Sequence, residues 1–226
     1  MSRPGGTLDV RSVLRIVGSR LVSLQRQYGY LWPENVRVLG SAPEGISFER
    51  ISVDNLEKVR AWKGPWTARR FRALLRRGLV GLYALHEGRV VGFLWTSVRC
   101  DRGSSLLCHE LIEPGEAMSG RAEVLPEYRR QKVGFHIHAE MQKLVRALYG
   151  DRVARMWGVT GVDNEPMQRL ATALGCTRLR EQVVLGLFGL VFFSVLWPLA
   201  PDTTRRVGRP RLAVRLRVPD WLYALR

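Results

Sequence analysis

Lysine is almost missing from this chain: only Lys58, Lys63, Lys132 and Lys143 stand among its 36 basic residues. Against 20 acidic residues the net charge is +16, carried by arginine. Part of that bias fits codon usage in a G+C-rich genome, and charge of either sign serves solubility. The rest asks for an anionic partner, because such a field steers phosphates, acidic peptides, anionic lipid headgroups or nucleic acid to the surface. Cysteine is scarce too. Cys100, Cys108 and Cys176 are odd in number, widely spaced and without a paired metal-ligand spacing, which argues against a disulfide framework or a zinc site and for a reducing, cytoplasmic setting. The opening Met1-Ser2-Arg3-Pro4-Gly5-Gly6 has no apolar stretch beside its basic residues, so no secretory signal is expected. No internal repeat is visible, and no aromatic readout motif accompanies the charge, which ranks nucleic acid last among the partners.

What is present suffices for one substantial core: 226 residues, 46% apolar and 25% charged, too few for two comfortable domains. Residues 9–28 place Val10, Val13, Leu14, Val17, Leu21, Leu24 and Tyr28 on one helical face with arginines elsewhere, which predicts a basic amphipathic helix. Docking on the protein's own body, on a membrane surface or on a partner are its open readings. A Gly/Pro-rich loop follows to residue 45. Then come a strand at 46–52, a helix capped by Asp54, a loop at Lys63-Gly64-Pro65-Trp66, and a second helix stopped by Gly78. Residues 79–86 and 89–100 predict a hairpin about Glu87-Gly88. Strands are expected at 106–112, 116–125 and 155–160, with helices at 130–148 and 165–174. Residues 183–200 carry no charge. That length meets the criterion for a membrane-spanning helix, but β-branched and aromatic density with Gly186 and Gly189 favours strands. The arginine-rich tail, 201–226, closes the sheet through 212–218 or docks on an acidic or lipid surface.

Residues 122–136, Ala-Glu-Val-Leu-Pro-Glu-Tyr-Arg-Arg-Gln-Lys-Val-Gly-Phe-His, read as a strand that breaks at Pro126 and turns through a cationic loop into a long helix. Such a turn aims a row of backbone N–H groups, backed by Arg129, Arg130 and Lys132, at one point where a helix dipole ends, which suits a diphosphate. The stretch resembles the acyl-CoA loop of the GNAT superfamily of N-acyltransferases, whose pattern runs Arg or Gln, two residues, Gly, one residue, then Gly or Ala. Arg129, Arg130, Gln131, Lys132, Val133 and Gly134 stand in that register, and Val124-Leu125-Pro126-Glu127-Tyr128-Arg129 is close to the family's Val-x-Pro-Glu-Tyr-Arg. Downstream, Asn164-Glu165-Pro166-Met167, with Leu170, Leu174 and Gly175-Cys176, resembles the family's Asn-x-Pro-Ser helix ending in Gly-Phe. Asn164 is equally sound as a helix N-cap with Pro166 in the first turn.

The resemblance covers roughly residues 46 to 190. It implies an α/β (α+β) fold with a mixed, mostly antiparallel central sheet flanked by helices, an N-terminal helical extension over 1–45, an acyltransferase domain over 46–200 and a basic C-terminal segment. It implies acyl-CoA, acetyl or longer, as co-substrate without a metal, bound by Val124, Leu125, Arg129, Arg130, Gln131, Lys132, Val133, Gly134, Phe135 and Asn164. Three positions depart from the family pattern: Lys132 replaces the loop's first Gly, Ala171 stands where many members carry the Tyr that protonates the leaving thiolate, and Cys176 replaces a Phe, which reads as core packing.

Acyl transfer to an amine needs a neutral nucleophile, and an alkyl amine of pKa near 10.4 is only about one part in a thousand neutral at physiological pH. A carboxylate beside the acceptor relieves this. Glu123 and Glu116 are the candidates, with Glu110 and Glu113 farther off; each also reads as a solvated strand charge. By family resemblance, backbone N–H groups around Val124 and Leu125 would hold the thioester oxygen, and Asn164 would fix the pantetheine arm or order a water. Thiolate exit would rely on solvent or the departing ammonium proton; His109, His136 and His138 are conceivable acids, the last two more suited to packing. Phe71, Leu74 and Leu75 face inward from the second helix and leave Arg69, Arg72 and Arg76 as a cationic ridge, flanked by Trp62 and Trp66. This suits an acidic amine-bearing acceptor such as a peptide with carboxylates. Within the same class, the run 183–200 could wall a tunnel for a fatty acyl chain, delivered as CoA thioester or by an acyl carrier protein. A non-catalytic membrane- or peptide-binding module on a degenerate acyl-CoA fold is the competing class, with peripheral membrane contact as its partner.

Overall fold

The computed structural model describes residues 22–36, 38, 40–100, 112–187 and 191–216. Among these, nine strands make one sheet: β1 (Val22–Leu31), β2 (Ile46–Arg50), β3 (Val80–His86), β4 (Arg89–Arg99), β5 (Glu116–Val124), β6 (Arg155–Gly161), β7 (Thr177–Leu187), β8 (Val191–Pro198) and β9 (Arg211–Leu216). The helices are α1 (Leu56–Arg76), α2 (Val133–Tyr149) and α3 (Glu165–Ala173). The spatial order is β2-β3-β4-β5-β6-β1-β7-β8-β9. Every neighbouring pair is antiparallel except β5 and β6, which run parallel. The expected mixed, mostly antiparallel sheet with flanking helices is therefore the fold.

Periodicity explains how each helix meets the sheet. In α2, Val133, Ile137, Met141 and Val145 recur at helical spacing and are wholly buried in a cluster with Leu82, Ala84 and Leu94. On the opposite face, Phe71 of α1 packs its ring edge-on against Phe93 and Trp95, each with centroids 5.0 Å apart, a geometry aromatic quadrupoles favour. The hairpin at Glu87-Gly88 forms as expected, both residues having positive φ (49° and 78°), as a two-residue antiparallel turn requires. The expected helix–loop–helix over 54–77 is α1 itself, interrupted at Gly64, where φ is 80° and Pro65 follows.

Three expectations are corrected. The helix predicted over 9–28 does not extend through 22–28: these residues belong to β1, which lies inside the sheet between β6 and β7. Leu24 and Tyr28, four apart, satisfy a helical face and an alternating strand face equally, and the pairing available on both sides decides for strand. Residues 9–21 lie outside the described residues, so the stretch assigned to an N-terminal extension contributes at least one internal strand. Secondly, the cap of α1 is Asn55, not Asp54; Asn55 Oδ1 accepts from the Ser52 N–H at 2.9 Å and its amide donates to Glu49 at 2.7 Å. Thirdly, α2 begins three residues later than expected, after a short 3₁₀ turn at Pro126–Tyr128. The charge-free run forms strand, in β7 and β8, as expected, and no helix among the described residues is long and apolar enough to cross a membrane. The strand expected at 106–112 lies almost wholly outside the described residues.

Ion pairs tie the late strands together and set an acid limit on stability. Burial pushes the Glu181 carboxyl up, but Arg206 and Arg26 outweigh this and hold it below its usual range; Lys58 does the same for Glu49, and Arg211 for Glu113. Folded values below the unfolded value of about 4.3 mean that this stabilisation is complete above that pH and is lost as pH falls through the lower folded values. Burial also pushes the His138 imidazole down, so protonation of the unfolded chain erodes stability already below about pH 6.5. Thermal unfolding followed by circular dichroism should show a melting temperature that declines gently below pH 6.5 and more steeply below about pH 4.

Candidate active site

The parallel pairing of β5 and β6 is short. Register holds from Glu116 opposite Arg155 to Ser119 opposite Gly158 and then stops, although β5 continues to Val124 and β6 to Gly161. The cause lies at Arg121, which has φ +52° and sits where the β4–β5 register slips between Phe93 and Trp95. That is a bulge, which bends its strand. Between the parted strands lies a cleft of about 320 Å³, walled by Gly120, Ala122 and Val159 and by Asn164, Met167 and Ala171 from the α3 side. Two adjacent strand edges that no longer pair present backbone donors and acceptors to whatever enters.

Sequence reasoning overlooked the far wall. Gln27, Tyr30 and Trp32 line the same cleft, contributed by β1 and the residue after it. The Trp32 indole lies where a side chain at position 158 would meet it at 2.8 Å, so Gly158 is what lets this ring close the wall. The alternation of Tyr28, Tyr30 and Trp32 was the available signal. His138 also lines the cleft, its ring centroid 5.5 Å from Trp32. Its Nδ1 lies 2.7 Å from the Gly134 carbonyl, so Nδ1–H donates, and burial keeps the ring neutral. Cys176 is buried beside it with its thiol pushed up to about 12 by burial, in keeping with core packing.

At one end the cleft approaches the loop that leaves β5. The Leu125 N–H donates to the Val91 carbonyl at 2.8 Å and is therefore committed to β4. Because N–H groups alternate along a strand, that of Val124 points to the cleft side, and the expected pair of donors reduces to Val124. Past the 3₁₀ turn, Arg130 and Lys132 have φ of +67° and +62°, with Gln131 between them outside that region. Such alternation turns successive N–H groups to a common side. Lys132 is the N-cap of α2 and makes no side-chain cap; the Phe135 N–H donates to the Lys132 carbonyl at 2.9 Å, which leaves Val133 and Gly134 as the first-turn N–H groups that helix geometry does not pair. Side chains brace this turn: Arg129 Nε donates to the Val124 carbonyl at 3.0 Å, Gln131 to the Glu127 carbonyl at 2.7 Å, and the Tyr128 hydroxyl meets His86 Nδ1 at 2.9 Å.

The left-handed backbone of Lys132 costs a side-chain-bearing residue roughly 1–2 kcal/mol. Lys132→Gly should therefore raise the melting temperature by about 2–4 °C per kcal/mol relieved, read by thermal unfolding.

A second cavity, of about 250 Å³, lies under α1 on the other face of the sheet, and Arg121 lines both. Phe71, Phe93 and Trp95 floor it, and Lys63, Arg70 and Glu123 supply its charge. Lys63 Nζ meets Glu123 Oε1 at 2.6 Å and stands 4.6 Å over the Trp62 ring. Of the arginines on this helix it is thus Arg70, rather than the expected ridge of Arg69, Arg72 and Arg76, that borders the space. Glu116, the other candidate base, is elsewhere: wholly buried at the start of β5, it accepts from Arg180 at 2.9 Å, Arg155 at 3.1 Å and the Glu113 N–H at 3.0 Å. An alternating strand looks the same at both ends in sequence, which is why the two glutamates could not be separated. Glu113 pairs with Arg211; Glu110 and His109 lie outside the described residues. Asn164 caps α3, its Oδ1 accepting from the Met167 N–H at 3.3 Å, and lines the cleft as well. Among the described residues no cluster of His, Cys, Asp or Glu is placed to hold a metal ion.

A family model described as acetyltransferase (GNAT) family matches residues 48–176, over half of the chain. The chain belongs to the GNAT acetyltransferase family. Solved structures share the GNAT fold at low identity. A Drosophila protein aligns over 80% of this chain and 59% of its own, with TM-score 0.52 and 15% identity. A tandem GNAT protein from the clavulanic acid biosynthesis pathway aligns over 83% and 62%, with TM-score 0.51 and 15% identity. The GCN5-related glucosamine N-acetyltransferase region of a fungal multi-domain β-N-acetylglucosaminidase aligns over 79% and 23%, with TM-score 0.51 and 15% identity. This GNAT chain thus spans about three fifths of the length of the first two structures. No curated protein matches it in sequence.

Proposed function

We propose that the protein is an N-acyltransferase that moves an acyl group from acyl-CoA to a primary amine by direct attack, both substrates being bound together. The observation that carries this reading is the parting of β5 from β6 immediately before a turn that presents uncapped helix N–H groups. An extended chain bearing amides can pair with such strand edges as an added strand would, which suits pantetheine, with Asn164 at its side. The diphosphate would meet the first turn of α2, with Arg129, Arg130 and Lys132 around it and Val133 and Gly134 offering N–H groups, while the Phe135 N–H stays with the Lys132 carbonyl. The Val124 N–H would then face the thioester oxygen, where one preorganised donor is worth about 3 kcal/mol.

The acceptor would enter by the second cavity and meet the donor near Arg121. Glu123 is the carboxylate there, and the Lys63 ammonium already occupies the place of an amine beside it; Glu116, clamped by two arginines, is left to a structural role. Exchange of the acceptor's proton to Glu123 frees the nitrogen lone pair, which attacks the carbonyl carbon; the C–S bond breaks and the thiolate leaves, to be protonated by solvent or by the new ammonium. With Lys63 and Arg70 at the rim, an acceptor that carries a carboxylate as well as its amine fits the charge. Acyl length follows from a thiol-release assay, and presentation by an acyl carrier protein from the same assay with acyl carrier thioesters as donors; none of the described residues of 183–200 lines the cleft, so that part of the run walls no tunnel there.

Thiol release from acetyl- and longer acyl-CoA, with acidic, neutral and cationic amines, tests the proposal. Turnover that is fastest with an acidic amine is expected, and Glu123→Gln should lower kcat by about 10²–10⁴ with coenzyme A binding kept. Absence of both turnover and coenzyme A binding would refute it; binding without turnover would make the chain a non-catalytic acyl-CoA module.

A further inference from the structure

Beyond the two clefts, the described residues leave an apolar face of the distal half of the sheet exposed. Directly paired residues on neighbouring strands point to the same side, and the registers give two adjacent rows. One runs Leu24, Leu185, Phe193, Val214, and the next Arg26, Val183, Val195, Leu212. Relative exposure is 72% at Leu24, 76% at Leu212, 64% at Val214 and 39% at Phe193, with Val22 at 54% extending the patch. With strands about 4.8 Å apart and same-face residues about 7 Å apart, the face covers roughly 300–400 Å². A contiguous apolar patch of that size matches the largest patch of a typical monomer, which is often functional.

Its border is mainly positive, with Asp202 bonded to Arg178 and Glu113 paired with Arg211 as the acidic exceptions. Strands β1, β7, β8 and β9 carry five arginines and a single glutamate, Glu181, and that glutamate is buried and already bridged by Arg26 and Arg206. Arg206 lies flat on the Trp197 ring at 4.0 Å, at the end of the rows, and Arg205 and Arg209 are exposed in the following turn. A second copy of the chain is a poor occupant. Its patch would bring arginine against arginine, and the face falls well short of the about 800 Å² per partner that a stable interface needs. An anionic bilayer has neither drawback: its acyl region takes the aliphatic side chains while phosphates meet the arginines.

We propose that this sheet face is a peripheral docking surface for an anionic phospholipid membrane. Leu24, Phe193, Leu212 and Val214 enter the interfacial layer, and Arg26, Arg205, Arg206 and Arg209 lie at headgroup level. The membrane then lies against the half of the sheet remote from α1, leaving the α1 cavity open to acceptors from solution.

Vesicle flotation of the full chain tests this, with phosphatidylcholine alone and with phosphatidylcholine containing phosphatidylglycerol. Flotation with the anionic vesicles, its reversal by high salt, and about tenfold weaker partitioning of L212E/V214E are expected, with that variant's melting temperature and coenzyme A binding unchanged. Absence of flotation with anionic vesicles overturns the proposal, as does equal flotation of L212E/V214E. So does light scattering that shows a dimer dispersed by L212E/V214E, which would make a second copy the occupant. None of these readouts depends on acyl transfer.

Discussion

Gly134→Asp should abolish coenzyme A binding while leaving the protein as stable as before, or slightly more so. Position 134 is the second residue of α2, and a Cβ built there meets only Leu170 Cδ2 at 3.5 Å, an ordinary contact. The backbone therefore accepts a β-carbon there. A carboxylate in the first turn of a helix complements the dipole and stabilises by about 0.3–1 kcal/mol. The same carboxylate would stand where the diphosphate is proposed to bind, and would repel it. A loss of affinity exceeding about a hundredfold corresponds to roughly 3 kcal/mol, well within what removing a charge-assisted anion site costs. Calorimetry for coenzyme A and thermal melting, run on the same preparation, separate the outcomes. Unchanged affinity would move the nucleotide site away from this turn; lost affinity with a collapsed melting temperature would indicate a packing role for the glycine.

Glu116→Ala should be the most destabilising of the single substitutions considered. The carboxylate is inaccessible to solvent and shared by Arg180 and Arg155, and Arg180 lies 3.3 Å over the Trp157 ring with only 12% of its side chain exposed. Burial already pushes the Arg180 guanidinium down, with Glu116 opposing. Truncation would leave that cation buried without its anion, a change typically worth about 3–5 kcal/mol. Urea unfolding should report that loss, and Glu116→Gln, which keeps an acceptor oxygen, should lose less. If instead Glu116→Ala unfolds at the wild-type urea concentration yet loses acyl transfer, the residue belongs to the chemistry after all.

The parts of the fold written in local pattern were legible. Glu87-Gly88 announces its hairpin, the spacing of Val133, Ile137, Met141 and Val145 announces α2, and the charge-free run with its glycines reads as strand. The turn that leaves β5, proposed to hold the diphosphate, was visible because Pro126 and the basic residues follow each other along the chain. What stayed hidden depends on pairing over long separations. Leu24 and Tyr28 fit either period, and only β6 and β7, well over a hundred residues away, decide that this stretch is strand. For the same reason Gln27, Tyr30 and Trp32 could not be assigned to the cleft. Arg121 gave no hint of its bulge, since a non-glycine residue at positive φ has no compositional mark. Glu123 and Glu116 became distinguishable only through their neighbours, Lys63 on one helix and Arg180 on a distant strand.

Placing β1 inside the sheet has a kinetic side. Synthesised well before β6 and β7, this ribbon has neither neighbour available until residues 155–187 have been made, so both of its edges wait unsatisfied meanwhile. Such long-range closure is slow and exposes unpaired strand to other nascent chains. Refolding from urea should therefore be rate-limited by insertion of residues 22–31 between β6 and β7.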